Sequence, residues 1–303
     1  MTVTSRILMV RPAKFGYNAE TAIDNVYQHA ETGREVHEKA IEEFDNFVAL
    51  LGKKAIEVTV IQDTIEPHTP DSIFPNNWAS YHIDGTAIIY PMFAANRRDE
   101  KYKSVIDELR SRYEISQTID LSHFESTEQY LEGTGSLVLD RDNAIAYACY
   151  SERTDRQLLE NACALLDYQP VGFTAEDENG VPIYHTNVMM CVAESFAVVC
   201  LDSLPDDTER EVLEMTLLQT GKEVIPITLD QVRSFAGNML QVAGVDGKRY
   251  LVMSDSAYNS LGADQISTIE NHCEIIHAPL DTIEYVGGGS ARCMMAEIFL
   301  PKK

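Results

Sequence analysis

The chain has 303 residues, 45% of them apolar and 24% charged, with 24 Lys and Arg against 48 Asp and Glu for a formal charge of −24. Such a length buries one large core or two modest ones, and 14 Tyr and 10 Phe beside ample aliphatic residues exclude a disordered chain. The negative field argues against nucleic acid and anionic membranes as partners; mean hydropathy is −0.18, and no apolar run approaches the roughly 20 residues of a membrane span.

In chain order, the apolar patch Ile7–Val10 followed by Arg11 and Pro12 predicts a buried first strand over 6–10 rather than an export signal. Apolar residues at helical spacing predict a helix from Asn25 to Leu51, stopped by Gly52. Further strands are predicted over 55–61, 86–90, 136–140, 144–149, 188–191, 196–201, 223–227, 239–242 and 249–253, each bounded by Gly, Pro, Asp or Asn. Helical patterns fall between them at 99–111, 153–166, 206–220 and 259–272. No composition break divides the chain, so a single α/β domain over residues 1–303 is expected. A doubly wound nucleotide-binding sheet does not fit. No G-x-G-x-x-G follows the first strand, and Leu137–Asp140 with Ala144–Cys149 reads as a hairpin. About five units of a strand pair with a helix suit a closed pseudo-symmetric array.

Six cysteines without a C-x-x-C make neither a disulfide scaffold nor a zinc site, and a reduced, cytoplasmic protein without metal or cofactor is expected. His272, Cys273 and His277 match no common ligand spacing and read as a surface helix running into a strand. Cys293 differs from the other five. It follows Gly287-Gly288-Gly289, which lets backbone approach a ligand and turn N–H groups inward, and it stands beside Arg292, which favours a thiolate. A buried cysteine leading an apolar strand over 294–300 is the plainer alternative. A thiol nucleophile needs a proton carrier. His185, at the mouth of the apolar run 188–191, is the best placed, unless it is a core histidine bonded to backbone. Glu132, ahead of a strand and followed by Gly133 and Gly135, is a third candidate, with a capping or turn role as the alternative. His82 and Asp84, in Tyr81-His82-Ile83-Asp84-Gly85, fit a hairpin turn, and 14–18 is a candidate lid.

Two further segments, Pro70-Asp71-Ser72-Ile73-Phe74-Pro75-Asn76-Asn77-Trp78 and Tyr90-Pro91-Met92-Phe93-Ala94-Ala95-Asn96-Arg97-Arg98, complete an ordered set with Leu131-Glu132-Gly133, His185 and Cys293. From Arg11 to Leu300 the chain resembles the guanidino-group-modifying superfamily of arginine deiminases, dimethylarginine hydrolases, amidinotransferases and arginine dihydrolases. It is most similar to the citrulline-utilising hydrolase branch through Phe-Pro-Asn-Asn-Trp and Asn-Arg-Arg. The resemblance implies a five-bladed α/β propeller, the pentein fold, of ββαβ units. It implies Cys293 as nucleophile, His185 as general acid and base, Glu132 as the group orienting the histidine, Asp71 as a substrate-binding carboxylate, and Arg97 or Arg98 as the clamp on the substrate carboxylate.

Arginine deiminases carry aspartates where this chain has Asn77 and Asn187. A guanidinium has only donors and a positive charge, so carboxylates suit it; a neutral ureido group has a carbonyl acceptor as well, which an uncharged amide can satisfy. The two amides favour L-citrulline, hydrolysed to L-ornithine, CO2 and ammonia. Arginine deiminase or dihydrolase and methylarginine hydrolase activity are the alternatives, followed by an amidinotransferase or a non-catalytic sensor of arginine or citrulline. The expected partner is therefore a small amino acid, and association with further copies of the chain is left open.

Overall fold

The computed structural model describes residues 3–102 and 104–303. Three-stranded sheets are its repeating unit. Strand β1 (Arg6–Arg11) pairs in parallel with β2 (Glu57–Gln62) across helix α1 (Arg34–Lys53). The next blade is β3 (Ala79–Tyr81), β4 (Thr86–Ile89) and β5 (Gln117–Asp120), with α2 (Val105–Arg112) before its last strand. A one-turn helix α3 (Gly133–Ser136) leads into β6 (Val138–Asp140), β7 (Ile145–Cys149), α4 (Arg156–Leu166) and β8 (Gln169–Phe173). Another, α5 (Thr186–Met189), leads into β9 (Met190–Val192), β10 (Phe196–Val199), α6 (Asp207–Gln219) and β11 (Glu223–Pro226). After the short α7 (Leu229–Arg233), the fifth set is β12 (Leu240–Ala243), β13 (Arg249–Ser254), α8 (Asp255–Ser260), α9 (Ala263–Glu270) and β14 (Glu274–Ala278). Strand β15 (Ala296–Glu297) returns to pair antiparallel with β1, so the two ends of the chain share one blade.

Each blade thus joins an antiparallel pair to a parallel strand reached through a helix, and the five blades form a pseudo-symmetric α/β propeller. The first strands lie innermost, β15 against β3, β6 against β9 and β9 against β12. The middle strands are apolar on both faces; β7 and β10 are buried along their whole length because helices cover one side and the ring the other.

The helix expected over 25–51 begins only at Arg34, behind Gly33 at φ 134°, and passes through Gly52 to Lys53. Its apolar spacing continues upstream through Val26 and Tyr27, but those residues belong to an irregular arm. The expected strands over 136–140 and 188–191 each start with a helical turn instead. The 99–111 helix is a 3-10 segment, Ala95–Tyr102, followed by α2, with Lys103 outside the described residues. The 259–272 helix is two short ones, split at Leu261. Met294–Leu300 forms only the two-residue β15. Short or exposed β3, β5, β8 and β14 carry too little apolar pattern to be read beforehand.

Candidate active site

One position recurs around the ring: the turn just before each innermost strand. In chain order these turns carry Asn77, Glu132, His185, Asn238 and, before β15, Cys293. Each turn sits at the base of an innermost strand; Asn77, His185 and Cys293 lie at one cavity, Glu132 bonds His185, and Asn238 bonds the Cys293 sulfur. Crowding there explains two glycines. Gly133 has φ 48°, and a Cβ on it would meet the Asn76 carbonyl oxygen at 2.4 Å. A Cβ on Gly135 would lie 2.5 Å from Asn77 Nδ2 and 2.9 Å from the His185 ring, so the missing side chain is the room those two groups occupy.

Cys293, His185, Asn77, Asp71, Arg97 and Arg153 line one cavity with Thr21, Asn25, Phe74, Tyr184 and Gly287–Gly289. Its volume is about 20 Å³, room for about one water molecule. A groove of about 600 Å³ lies outside it against Tyr27, His29, Phe235 and Tyr285; it holds neither the thiol nor the imidazole, and the chemistry belongs to the smaller space.

His185 bonds Glu132 Oε2 through Nε2 at 2.8 Å, and Glu132 Oε1 accepts from the Phe93 amide. Burial pushes the Glu132 pKa up, but Arg153 and the His185 bond outweigh it and hold it at about 2. Burial lowers the His185 pKa, Glu132 opposes the fall, and Arg153 and Arg97 add to it. A neutral imidazole beside a permanent carboxylate is poised to accept a proton and to be stabilised once it has.

The Cys293 sulfur receives Asn238 Nδ2 at 3.2 Å and Asn187 Nδ2 at 3.6 Å. Asn238 also donates to the Asn187 carbonyl and accepts from the Arg292 amide, tying three turns together. The Arg292 guanidinium faces away, toward the Met295 carbonyl and Glu297, so amide donors rather than its charge attend the thiol. Nor do the glycines turn a row of N–H groups inward: the carbonyls of Gly287 and Gly288 accept from Gln28, Asn25 and Tyr184.

Asp71 Oδ2 accepts from Asn18 and Thr21, while its other oxygen has no partner. Burial raises its pKa against the pull of Arg97. Arg97 reaches the cavity wall with its N–H groups held by Glu100, Asn77 Oδ1 and the carbonyls of Asp71 and Phe74. Arg98 is not brought to the cavity; it donates to the carbonyls of Met92 and Phe93 and stacks near Tyr130. Arg153, absent from the expected set, is 2% exposed and lies in the cavity. It was hidden at the start of an expected helix, whose true N-cap is Asp155. Asn238 stands in the plain stretch Phe235-Ala236-Gly237-Asn238-Met239, where nothing marks it chemically.

The expected lid over 14–18 leads into an arm, 18–29, which bonds Asp71 through Asn18, Arg153 through Asp24 and the glycine carbonyls through Asn25 and Gln28. His82 and Asp84 do form a hairpin turn, closed at Gly85. His272 faces Ser195 and Glu223 while His277 faces Asp255, on separate partners. Among the described residues no helix is long and apolar enough to cross a membrane.

The profile of the eukaryotic N,N dimethylarginine dimethylhydrolase family matches residues 11–300. A sequence search of curated proteins finds no match. Among solved structures, the N-terminal domain of ArgZ, a cyanobacterial arginine dihydrolase, caught as a covalent reaction intermediate, superposes with a TM-score of 0.75 at 18% identity, covering 98% of this chain and 99% of that one. Unliganded AgrE gives 0.78 at 18% identity, covering 98% of this chain and 40% of that one. A dimethylarginine dimethylaminohydrolase adduct with S-methyl-L-thiocitrulline gives 0.66 at 13%, covering 97% and 99%. The chain spans about two fifths of full-length ArgZ and AgrE. Five blades, one thiol–imidazole–carboxylate cavity and a profile match over nearly the whole length converge: this chain belongs to the N,N-dimethylarginine dimethylhydrolase family within the guanidino-group-modifying superfamily.

Proposed function

We propose that the chain hydrolyses the ureido group of L-citrulline, giving L-ornithine, CO2 and ammonia through a covalent intermediate on Cys293. The amide of Asn77 is the observation that carries this reading. Arg97 has only donors, so the contact from its Nη1 at 2.8 Å forces Asn77 Oδ1 toward it and leaves Nδ2, buried and unpartnered, on the other side. An orphaned donor matches a carbonyl oxygen; a guanidinium would present it only further donors. Asn187 Oδ1, also without a partner, supplies an acceptor for a ureido N–H.

In this reading Arg153 takes the α-carboxylate as a planar fork, and the free oxygen of Asp71 takes the α-ammonium. The Cys293 thiol passes its proton to His185 as sulfur bonds to the ureido carbon, with Asn77 Nδ2 donating to the carbonyl oxygen as charge builds there. The C–N bond to the ornithine nitrogen breaks as His185 returns the proton to that nitrogen, leaving an S-carbamoyl cysteine. Water, losing a proton to His185, attacks that carbon; the C–S bond breaks, and carbamate decomposes to CO2 and ammonia.

A second reading is hydrolysis of arginine, supported by ArgZ being an arginine dihydrolase and by the acceptor on Asn187. The deciding assay supplies citrulline, arginine and N,N-dimethylarginine separately and measures ornithine, citrulline, ammonia and dimethylamine. Citrulline should be preferred by about 10- to 100-fold in kcat/KM, the range expected when one buried donor is left unpaired by the wrong substrate. N77D with N187D should shift that ratio toward arginine by a similar factor. Arginine preferred by the wild-type chain, or an unchanged ratio in the double variant, overturns the assignment.

A further inference from the structure

The cavity is small and lined by buried residues, and an arm of the chain occupies the polar groups at its wall. The guanidinium of Arg153 is 2% exposed, yet most of its hydrogen bonds go to the arm: Nε to Asp24 Oδ2 at 2.7 Å, Nη2 to Asp24 Oδ1, and Nη2 again to the Thr21 carbonyl at 3.0 Å. Only Nη1 turns inward, toward Glu132 at 3.5 Å. Asp24 therefore fills both teeth of the fork as an amino-acid carboxylate would. At the other pole, Asp71 receives two donors from the same arm, Asn18 Nδ2 at 2.7 Å and Thr21 Oγ1 at 3.0 Å. One short segment thus presents a carboxylate to the buried arginine and donors to the buried aspartate. That is the charge pattern of a free amino acid's head group, in a cavity that has no room for both.

We propose that the arm, through Asp24, is an internal stand-in for the substrate's α-amino-acid head, which the substrate must evict from Arg153 before the arm can seat again over it. The assignment rests on the reading of Arg153 and Asp71 as the head-group pair. Asp24 is then a positioning residue: it keeps the desolvated guanidinium paired and aimed while no ligand is bound, and it sets the apparent affinity for amino acids by competing with them. Ile23 and Val26 are exposed on the arm's outer face; ring contacts of Tyr27 with Phe235 and Tyr184 and of His29 with Tyr285 hold its far end, and polar contacts hold the part that carries Asp24.

The test follows alkylation of Cys293 by iodoacetamide, read at that residue's peptide by mass spectrometry, in wild type, D24A and D24E. Losing a charge-assisted pair should raise the D24A rate by about tenfold. Acetate should slow the D24A reaction by re-entering the fork and leave wild type unaffected, while D24E, keeping a carboxylate, should stay near wild type. Equal rates in D24A and wild type, or a D24A rate indifferent to acetate, overturn the proposal. Alkylation needs no turnover, so it separates this inference from the choice of substrate. With citrulline as substrate, D24A should also show a KM lowered severalfold; a raised KM would make Asp24 a substrate contact and overturn the stand-in role.

Discussion

His82 and His185 are both sealed from solvent, and each sets one ring nitrogen against a side-chain oxygen 2.8 Å away. The oxygen is the Ser80 hydroxyl for His82 and the Glu132 carboxylate for His185. The other nitrogen of His82 faces Arg141 at 3.4 Å. Burial, reinforced by Arg141, takes the His82 pKa down to about 3, which leaves a neutral ring wedged into a hairpin. Burial depresses His185 too, but there the carboxylate resists and gives the charged form a partner. The cysteines divide in the same way. Cys149 donates to the Ile183 carbonyl and receives the Thr186 hydroxyl at 3.5 Å, and burial pushes its thiol up to about 12; Cys293 instead receives two amide N–H groups inside the cavity. In both pairs burial supplies inertness, and one added group of the right polarity supplies chemistry.

The widest gap should open between the two thiols. C293A should lower turnover by a factor on the order of 10⁴ or more, as removal of a covalent nucleophile does. C149A should keep turnover within about threefold and cost about 1–2 kcal/mol for the void it leaves. Turnover assays and thermal melts on the same preparations check both, and comparable turnover in the two variants would erase the distinction.

The histidine pair comes next. H185N should cost about 10²- to 10⁴-fold in kcat, whereas H82F should leave kcat within a few-fold and lower Tm, because Ser80 and Arg141 lose a partner. E132Q sharpens the contrast through pH. Removing the carboxylate removes what holds the His185 pKa up, so the acid limb of kcat/KM should move to lower pH while its plateau falls by about 10- to 100-fold. Stability carries a matching sign. Glu132 titrates at about 2 in the folded chain against 4.5 ordinarily, so its contribution is complete above pH 4.5 and is lost as pH falls toward 2. E132Q should lack that stretch of acid sensitivity.

How much of this was legible beforehand follows the same line between chemistry-bearing and plain residues. Cys293 and Glu132 could be singled out because a reactive or charged type stood near glycines, His185 because it stood at the mouth of an apolar run, and the family resemblance added Asp71 and Asn77 and ordered the set. Five-fold organisation showed through the spacing of strand pairs and helices, although the helical turns before β6 and β9 did not, since a single turn of Gly133–Ser136 or Thr186–Met189 has no periodicity to read. Arg153 and Asp24 were hidden for another reason. They matter through a contact between positions 129 residues apart; Arg153 opens one expected helix and Asp24 stands just ahead of another. An arm held mainly by polar contacts leaves little hydrophobic pattern, and its Val26 and Tyr27 were absorbed into the wrong helix.

Asn238 is the least conspicuous residue of the ring, and it permits the finest version of the comparison. Its Oδ1 anchors the Arg292 amide at 2.9 Å, and its Nδ2 reaches Cys293 Sγ at 3.2 Å. The Arg292 anchor therefore sits on one end of the side chain, and the sulfur donor, which also holds the Asn187 carbonyl at 3.1 Å, on the other. N238A removes both. N238D keeps an oxygen for the Arg292 amide, but replaces the N–H donor with a second acceptor that repels a thiolate. If the donor is what distinguishes Cys293 from Cys149, N238D should slow alkylation of Cys293 at fixed pH by about tenfold and lower kcat by a similar factor, the scale of one hydrogen bond to a charged group, while its Tm, short of the Asn187 contact alone, falls less than that of N238A. If holding the turns is the whole of its role, N238D should alkylate no more slowly than N238A, and kcat should follow Tm in both variants. Rates of alkylation beside melting curves tell these apart, because N238A loses all three contacts whereas N238D keeps the one to Arg292 and sets a second acceptor against the sulfur.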